Sequence, residues 1–315
     1  MEKIKVIRTA AGSTVSWGLI EELRKNGVEV IGADADKHSF AFHLLDKRYI
    51  IPKGNHPDFI KKILELVEKE KPDAIITGPE EELIALSTNK EIIEKKGTLV
   101  LCPDKESVEI CADKKRTNDF FARMHIPIPE TYSDFESVTY PCIIKPRFGR
   151  GSTGLQIATN EKELRCHIGN FEVQIVQELV EGDEYTIDVL ADKEGNALSI
   201  VPRIRIQTES GVSVKGITVN DREIIEYCRK IAKELKLFGP SCIQCIRGKT
   251  GVKFIEINTR FGGGSILSIK ADPTIISNLL KLIRGEKTKP SATFKEGLTM
   301  LRYYSEVFFD NEEAY

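Results

Sequence analysis

The sequence lacks the features of a membrane, secreted or nucleic-acid-binding protein. No apolar run approaches the roughly 20 residues that a membrane-spanning helix needs. A strand is predicted within four residues of Met1, which leaves no room for a signal peptide and predicts a cytoplasmic protein. The formal net charge is −2 and the basic residues are scattered, whereas a nucleic-acid binder usually carries a basic stripe. We therefore expect neither a membrane nor a nucleic acid as a partner.

The cysteines form no disulfide or zinc pattern. They number seven, which is odd, and most lie inside apolar runs such as the one around Cys102. Buried thiols in a reducing compartment have this pattern. Cys242 and Cys245 have the spacing of redox and zinc motifs, but no second pair completes the motif. Side chains three apart in a strand also point to opposite faces. We interpret this pair as structural.

The first hundred residues alternate predicted strands with predicted helices, which indicates a parallel sheet covered on both faces. The predicted strands are residues 4–7, 28–31, 74–77 and 98–101, and the predicted helices are residues 15–25, 57–70 and a segment that starts at residue 80. We predict a separate α/β domain over residues 1–102.

This opening is similar to a dinucleotide-binding fold, but the glycines of that fold are missing. The turn after the first strand contains one glycine, Gly12, where the fingerprint has three. Asp34 ends the second strand, as the fingerprint requires, although acidic residues often end strands. The missing glycines disfavour a nicotinamide site.

From residue 103 onward the pattern predicts antiparallel strands with helices, so the fold class is α/β with an α+β C-terminal part. A small lobe over residues 103–180 is predicted from a helix at 113–124 capped by Asp113, strands at 140–145, 154–158 and 173–180, and a helix at 161–168. A large lobe over residues 181–315 is predicted from strands at 185–191 and 198–207, a helix at 221–236, a hairpin at 242–258 and a helix at 273–284.

A glycine-rich turn at residues 148–154 joins two predicted strands. It lacks the Gly-Lys-Ser/Thr ending of a P-loop, yet its backbone N–H groups can cover phosphates. Lys145 ends the preceding buried strand and can neutralise phosphate oxygens as a point charge. A simple turn and a solvated lysine are the ordinary alternatives.

The acidic segment at residues 177–185 contains two candidate nucleoside contacts, its backbone and the carboxylate of Glu184. Its backbone can read the edge of an adenine, and a carboxylate such as Glu184 can accept hydrogen bonds from ribose hydroxyls. A plain acidic turn between strands is the alternative.

The C-terminal hairpin has the most informative pattern. Strand alternation puts Glu256, Asn258 and Arg260 on one face. A three-residue loop at 249–251, with glycine last, sets Gln244 opposite Glu256. Oxygen-bearing side chains of this kind suit Mg²⁺. A solvated polar face is the alternative, but the flanking residues are apolar.

These segments, in this order, resemble the ATP-grasp superfamily, especially the large chain of carbamoyl phosphate synthetase. The resemblance covers nearly the whole chain. It implies a two-lobed ATP-grasp fold behind a parallel-sheet domain, with ATP and Mg²⁺ or Mn²⁺ in the cleft. The implied reaction is that of a carboxylate–amine ligase, which forms an acyl phosphate and releases ADP and phosphate.

The resemblance also implies roles for individual residues. The implied nucleotide contacts are Lys114, Lys145, Gly149, Gly151, Ser152, Gly154, Glu178, Leu179, Val180, Glu184 and Gln244. The implied metal ligands are Gln244, Glu256 and Asn258, and the implied catalytic residues are Arg260 and Lys145.

The substrate contacts are a hypothesis of their own. Arg203, Arg205 and Lys215 lie on the segment that enters the predicted cleft, where they can hold substrate carboxylates. A solvated charged face is the alternative. Loops near Ala11, Asp34 and Glu80 complete the expected acceptor pocket.

The sequence also departs from its relatives. Carbamoyl phosphate synthetase has two such units and this chain has one, and no Arg-Arg-x-Gln-Lys bicarbonate segment of biotin carboxylase is present. Gln244 replaces the acidic metal ligand of many relatives, as it does in the carbamoyl phosphate type. Two alternatives stay open: an enzyme that activates bicarbonate as carboxyphosphate, and a non-catalytic ATP-binding subunit. A homodimer is compatible with each.

Overall fold

The computed structural model describes residues 3–13, 15–149, 151 and 153–308. Their strands form three sheets of five, four and six strands, which follow one another along the chain. No helix in these ranges is both long enough and apolar enough to cross a membrane.

The first sheet is parallel and has the strand order β3-β2-β1-β4-β5. Its strands are β1 (Lys5–Thr9), β2 (Glu29–Asp34), β3 (Lys47–Ile50), β4 (Ala74–Ile76) and β5 (Leu99–Val100). Its helices are α1 (Ser16–Lys25), α2 (Phe40–Leu44), α3 (Phe59–Glu70), α4 (Glu80–Thr88) and α5 (Lys90–Glu94). The parallel α/β prediction is confirmed. The strand order reverses between β1 and β4, and ligands of open α/β sheets bind beyond the carboxyl ends of strands at such a point.

Two helices, α6 (Lys105–Ala112) and α7 (Lys114–Arg123), lead into the second sheet. The predicted cap of α7 is confirmed, because the Asp113 carboxylate accepts hydrogen bonds from the backbone N–H groups of Lys115 (3.0 Å) and Arg116 (3.4 Å). Arg147 donates two further hydrogen bonds to the same carboxylate, at 2.7 and 2.6 Å. Asp113 therefore ties the start of α7 to the chain just before the glycine turn. Helix α6 was not predicted.

The second sheet is antiparallel, with the order β6-β9-β7-β8. Its elements are β6 (Thr131–Tyr132), β7 (Cys142–Pro146), β8 (Gln156–Ala158), α8 (Glu161–His167) and β9 (Gln174–Glu178). One face packs a small core around Cys142, Ile144 and Val176. Because side chains alternate along a strand, Ile143 and Lys145 point to the opposite face.

The third sheet is antiparallel, with the order β14-β13-β10-β11-β12-β15. Its strands are β10 (Gly182–Ala191), β11 (Ala197–Glu209), β12 (Val212–Thr218), β13 (Gly239–Gly248), β14 (Gly251–Asn258) and β15 (Thr299–Leu301). Its helices are α9 (Arg222–Glu234), α10 (Ser265–Ala271) and α11 (Thr274–Arg284).

The β13–β14 hairpin reaches the predicted pairing by a different route. Gln244 does lie opposite Glu256, as predicted. The predicted three-residue loop is wrong, however, because Gly248 pairs with Gly251 and only two residues remain in the turn. A bulge at Ile255 adds the residue that the shorter turn removes and restores the register.

All seven thiols are free, and both residues of the Cys242–Cys245 pair are buried. Cys242 donates a hydrogen bond to Asp188 (2.9 Å), and Cys245 packs in the core beneath the large sheet. The structural interpretation of this pair is confirmed.

Candidate functional site

A cleft between the second and third sheets gathers most of the predicted site residues. The members of the predicted set that line it are Lys114, Lys145, Gly149, Gly151, Glu178, Leu179, Val180, Glu184, Arg205, Gln244, Glu256, Asn258 and Arg260. Gly154 lies at the end of the glycine turn, packed against Pro146. Ser152 lies outside the described residues.

Two lysines lie at the glycine turn. Lys114 donates a hydrogen bond from Nζ to the carbonyl of Gly149 (2.7 Å), and its backbone N–H donates to the carbonyl of Arg147 (3.1 Å). Lys145 extends from the end of β7 into the same region. Desolvation lowers the pKa of Lys145 to about 8; Glu256 opposes this effect and the charge of Lys114 adds to it. An anion that binds beside Lys145 stabilises the charged form of this side chain and raises its pKa again.

The glycine turn has a backbone that other residues rarely adopt. Gly149 and Gly151 have φ values of +119° and +65°, in the left-handed region. The tip of the β11–β12 hairpin touches this turn, because a Cβ atom at Gly211 would lie 2.8 Å from the Cα atom of Gly151. Gly151 and Gly211 both line the cleft, so the hairpin tip and the turn meet at its wall.

The oxygen-rich group is formed by Gln244, Glu256 and Asn258. Asn258 donates an amide hydrogen bond to Glu256 (2.8 Å). The Gln244 amide is best satisfied with its nitrogen donating to Glu256 Oε2 (3.1 Å) and its oxygen accepting from Arg205 Nη1 (3.0 Å). Both amides thus converge on one carboxylate. No cluster of three or more His, Cys, Asp or Glu side chains suited to a metal occurs in the described part of the chain.

Arg260 extends the same face toward the first sheet. Its guanidinium donates to the Asn258 side-chain oxygen (3.3 Å) and to the carbonyl of Phe261 (3.1 Å). A second, smaller cavity beside the cleft is lined by Arg260, Glu256 and Glu80. Desolvation raises the pKa of Glu80 to about 7, and the charge of Lys114 partly opposes this effect. Glu80 thus lines the smaller cavity, which shares Lys114, Glu256 and Arg260 with the cleft.

The other end of the cleft lies where the chain passes between the lobes. Glu178 ends β9, and its carboxylate accepts a hydrogen bond from the N–H of Glu130 (2.9 Å) and pairs with Lys253 (3.4 Å). Glu184, at the start of β10, forms an ion pair with Arg205. These contacts hold the segment from Glu178 to Val180 beside the cleft wall.

Comparison with known proteins identifies the family. A family described as the ATP-grasp domain matches residues 111–264, and one described as the PylC-like N-terminal domain matches residues 9–101. Residues 111–264 of this chain are therefore an ATP-grasp domain. The carbamoyl phosphate synthase large chain of Clostridium perfringens (strain 13) is 24% identical over 297 residues, which are 85% of this chain and 27% of that relative. This ATP-grasp chain thus spans about a quarter of that protein's length.

This chain covers a larger share of two other known proteins, a sequence relative and a solved structure. The formate-dependent phosphoribosylglycinamide formyltransferase of Sulfurisphaera tokodaii is 27% identical over 294 residues, which are 82% of this chain and 70% of that protein. The biotin carboxylase domain of the Hydrogenobacter thermophilus 2-oxoglutarate carboxylase superposes with a TM-score of 0.73 at 20% identity, over 93% of this chain and 73% of that one. At that identity the superposition shows the shared fold.

The three predicted substrate contacts of this ATP-grasp chain lie in different places. Arg205 lines the cleft and donates to the carbonyl of Gly211 (2.8 Å). Arg203 is only 2% exposed and pairs with Asp188 (2.8 Å), so its guanidinium does not reach the cleft. Lys215 is exposed on β12, where the strand pairs with β15. The structure therefore brings one of the three to the cleft.

Sequence reasoning missed the apolar walls of the cleft. Further apolar lining residues are Pro129, Ile143, Leu155, Ile246 and Ile255, and the polar Gln177 lies among them. Ile143 could have been found from strand alternation, because it shares a face of β7 with Lys145. Ile255 sits at the bulge, which no sequence signal marked.

Proposed function

We propose that this ATP-grasp protein is an ATP-dependent carboxylate–amine ligase. It transfers the γ-phosphoryl group of ATP to a carboxylate oxygen and joins the resulting acyl phosphate to an amine, with release of ADP and phosphate. The observation that supports it most is the meeting of Lys114 and Lys145, the glycine turn and the Glu256–Arg260 face in one cleft.

Phosphoryl transfer depends mainly on positioning and on charge neutralisation. Lys114 and Lys145 lie at the glycine turn, where they contact phosphate oxygens. The phosphates restore the full charge of Lys145, whose pKa is lowered by desolvation. The glycine turn covers the phosphates together with the tip of the β11–β12 hairpin and excludes water. Arg260 faces the reacting carboxylate and stabilises its developing negative charge.

The nucleoside lies at the other end of the cleft. The backbone of the segment from Glu178 to Val180 reads the adenine edge, and Glu184 accepts hydrogen bonds from the ribose. Arg205 holds Glu184 in place through their ion pair and remains the proposed substrate contact of the original three.

The donor set of Gln244, Glu256 and Asn258 fits Mg²⁺ or Mn²⁺. One carboxylate and two amides provide hard oxygen ligands and leave room for phosphate oxygens and water. The two amides now direct nitrogen atoms at Glu256, and rotation of each amide presents its oxygen instead. A bound ion supplies charge neutralisation at the phosphates.

In the ligation step the amine nitrogen forms a bond to the acyl carbon. The carbon–oxygen bond to the phosphoryl group breaks, and phosphate leaves with the bonding electrons. Glu80, whose pKa is raised to about 7, lies beside Arg260 and takes the proton that the amine loses. The loops near Glu80 and Asp34 form the rest of the acceptor pocket.

The test is ADP release from MgATP in the presence of hydroxylamine, with pools of amino acids and other small carboxylates. Hydroxylamine converts an acyl phosphate to a hydroxamate and phosphate whatever the natural amine is, so only the carboxylate is screened. We expect at least one pool to give hydroxamate and ADP in equal amounts. Glu256→Gln abolishes this turnover without unfolding the protein, and Glu91→Gln, an exposed site on α5, serves as the matched control.

Two other outcomes separate the alternatives. Release of ADP that depends on bicarbonate alone favours a carboxyphosphate-forming enzyme, a candidate that the carbamoyl phosphate synthase relative supports. Binding of MgATP without turnover in any pool favours a non-catalytic nucleotide-binding subunit. Normal turnover by Glu256→Gln contradicts the metal assignment.

We also propose the domain boundaries 1–102, 103–180 and 181–315, a cytoplasmic location and a homodimer. The division of the strands among three consecutive sheets supports the boundaries. The seven free thiols fit a reducing compartment. The compared biotin carboxylase domain is described as a dimer, and light scattering on the purified protein tests the assembly.

A further inference from the structure

An ion pair just outside the cleft joins the two segments that carry its lysines. Arg147 lies between the glycine turn and β7, which ends one residue after Lys145. Its guanidinium donates two hydrogen bonds to the Asp113 carboxylate, from Nε at 2.7 Å and from Nη2 at 2.6 Å. Asp113 caps α7 and directly precedes Lys114. Neither Arg147 nor Asp113 lines the cleft, so this pair can act on a bound ligand only through its neighbours.

Lys114 is attached to the same segment at two further points. Its backbone N–H donates to the carbonyl of Arg147 (3.1 Å), and its Nζ donates to the carbonyl of Gly149 (2.7 Å). The backbone N–H of Arg147 in turn donates to the carbonyl of Val173, just before β9 (3.0 Å). Together with the ion pair, these contacts hold the start of α7 against the base of the glycine turn.

This junction opposes an electrostatic repulsion. Lys114 and Lys145 both line the cleft, and the charge of Lys114 disfavours the charged form of Lys145. Two like charges at short range tend to separate the segments that carry them. Asp113 is only 4% exposed, so water and salt screen its pair with Arg147 less than an ion pair on the open surface. A carboxylate held by two charged hydrogen bonds is therefore suited to keep α7 beside the end of β7.

We propose that Arg147 is a positioning residue for the nucleotide phosphates and that it acts through Lys114. Its two bonds to Asp113 fix the start of α7, so that Lys114 reaches the same phosphates as Lys145. This inference rests on the proposed function, because it requires a nucleotide in the cleft. It also has a consequence that a purely structural ion pair would not have: once Lys114 is absent, Arg147 has no phosphate contact left to position.

The test is a double-variant cycle on MgATP affinity, measured by calorimetry. Arg147→Met keeps an unbranched side chain and removes both charged bonds, and we expect it to weaken MgATP about tenfold. In a protein that already carries Lys114→Met, the same change is expected to weaken MgATP no further, because interacting residues are non-additive. Arg165→Met, which removes an exposed ion pair with Glu161 on α8, is the matched control and is expected to leave the affinity unchanged.

Asp113→Asn provides an independent arm of the same test. Asparagine also caps helices, so this change removes the charge of the pair and keeps the cap. We expect a loss similar to that of Arg147→Met, with a smaller loss for Arg147→Lys, which keeps the charge but lacks the planar fork.

Two results overturn this inference and leave the proposed function intact. One is wild-type affinity in folded Arg147→Met and Asp113→Asn, and the other is additive losses in the cycle with Lys114→Met. Failure of the wild-type protein to bind MgATP overturns the proposed function and this inference together. Thermal unfolding of each variant distinguishes a local effect from loss of the fold.

Discussion

The buried pair of Asp188 and Arg203 allows the sharpest prediction about stability. Arg203 is 2% exposed and Asp188 is 6% exposed, and Arg203 Nε donates to Asp188 at 2.8 Å. The carboxylate also accepts hydrogen bonds from the hydroxyls of Ser265 and Ser268 and from the thiol of Cys242. Removing one charge of such a pair leaves the other buried without compensation, which costs about 3–5 kcal/mol.

Asp188→Asn therefore lowers the free energy of unfolding by about 3–5 kcal/mol, because Arg203 keeps its buried charge. The double variant Asp188→Asn/Arg203→Met removes both charges and recovers much of this loss. Urea denaturation followed by fluorescence and circular dichroism measures both effects. Arg229→Met, at an exposed position of α9, is the matched control for the arginine substitution.

The outcome that refutes this reasoning is specific. If Arg203→Met unfolds at the wild-type urea concentration and instead raises KM for the carboxylate, Arg203 is a substrate contact. A double variant as unstable as the sum of the single variants would also contradict the pairing, because paired charges are expected to be strongly non-additive.

Three further predictions concern the cleft. Lys145→Ala weakens MgATP binding roughly 10- to 100-fold, as expected for the loss of a charged hydrogen bond, and unchanged affinity in calorimetry removes this lysine from the site. Glu80 accepts a proton only when ionised, so the rate of amide formation rises as the pH increases through about 7. Glu80→Gln loses this step in the pH–rate profile, and retention of the step assigns it to another group. Gly211→Ala lowers kcat, because its Cβ would lie 2.8 Å from the Cα of Gly151. Gly297→Ala, also at a positive φ but with no atom within 4 Å of the new Cβ, is the control, and equal kcat values in the two variants argue against a role for the hairpin tip.

Local patterns in the sequence predicted most elements of the fold and several residues that line the cleft. The cap at Asp113 has a side-chain acceptor followed by helix-forming residues, and that information is local. The shared face of Glu256, Asn258 and Arg260 follows from strand alternation alone, and all three line the cleft. Their proximity to Gln244 could also be predicted, because the two strands of a hairpin are close in sequence and pair with each other.

The elements that were missed have weak local signals. Strand β3, at Lys47–Ile50, lies at the edge of its sheet and begins with two adjacent basic residues, so it lacks the apolar run of a buried strand. Helix α6 was missed beside α7. The bulge at Ile255 has no signal either; it offsets a turn that is one residue shorter than the predicted one.

Sequence alone determined which types of residue reach one face of the large sheet, and tertiary structure decided which of them meet the cleft. Arg203 and Arg205 are two apart on β11 and share a face. The glycines that follow Arg260 pack over Arg203, and a Cβ atom at Gly264 would lie 2.5 Å from its Nη1. Arg205 lies beyond that cover and lines the cleft. A segment some sixty residues away in the sequence thus buries Arg203 and leaves Arg205 accessible. Strand periodicity does not predict which distant segment packs over a given side chain.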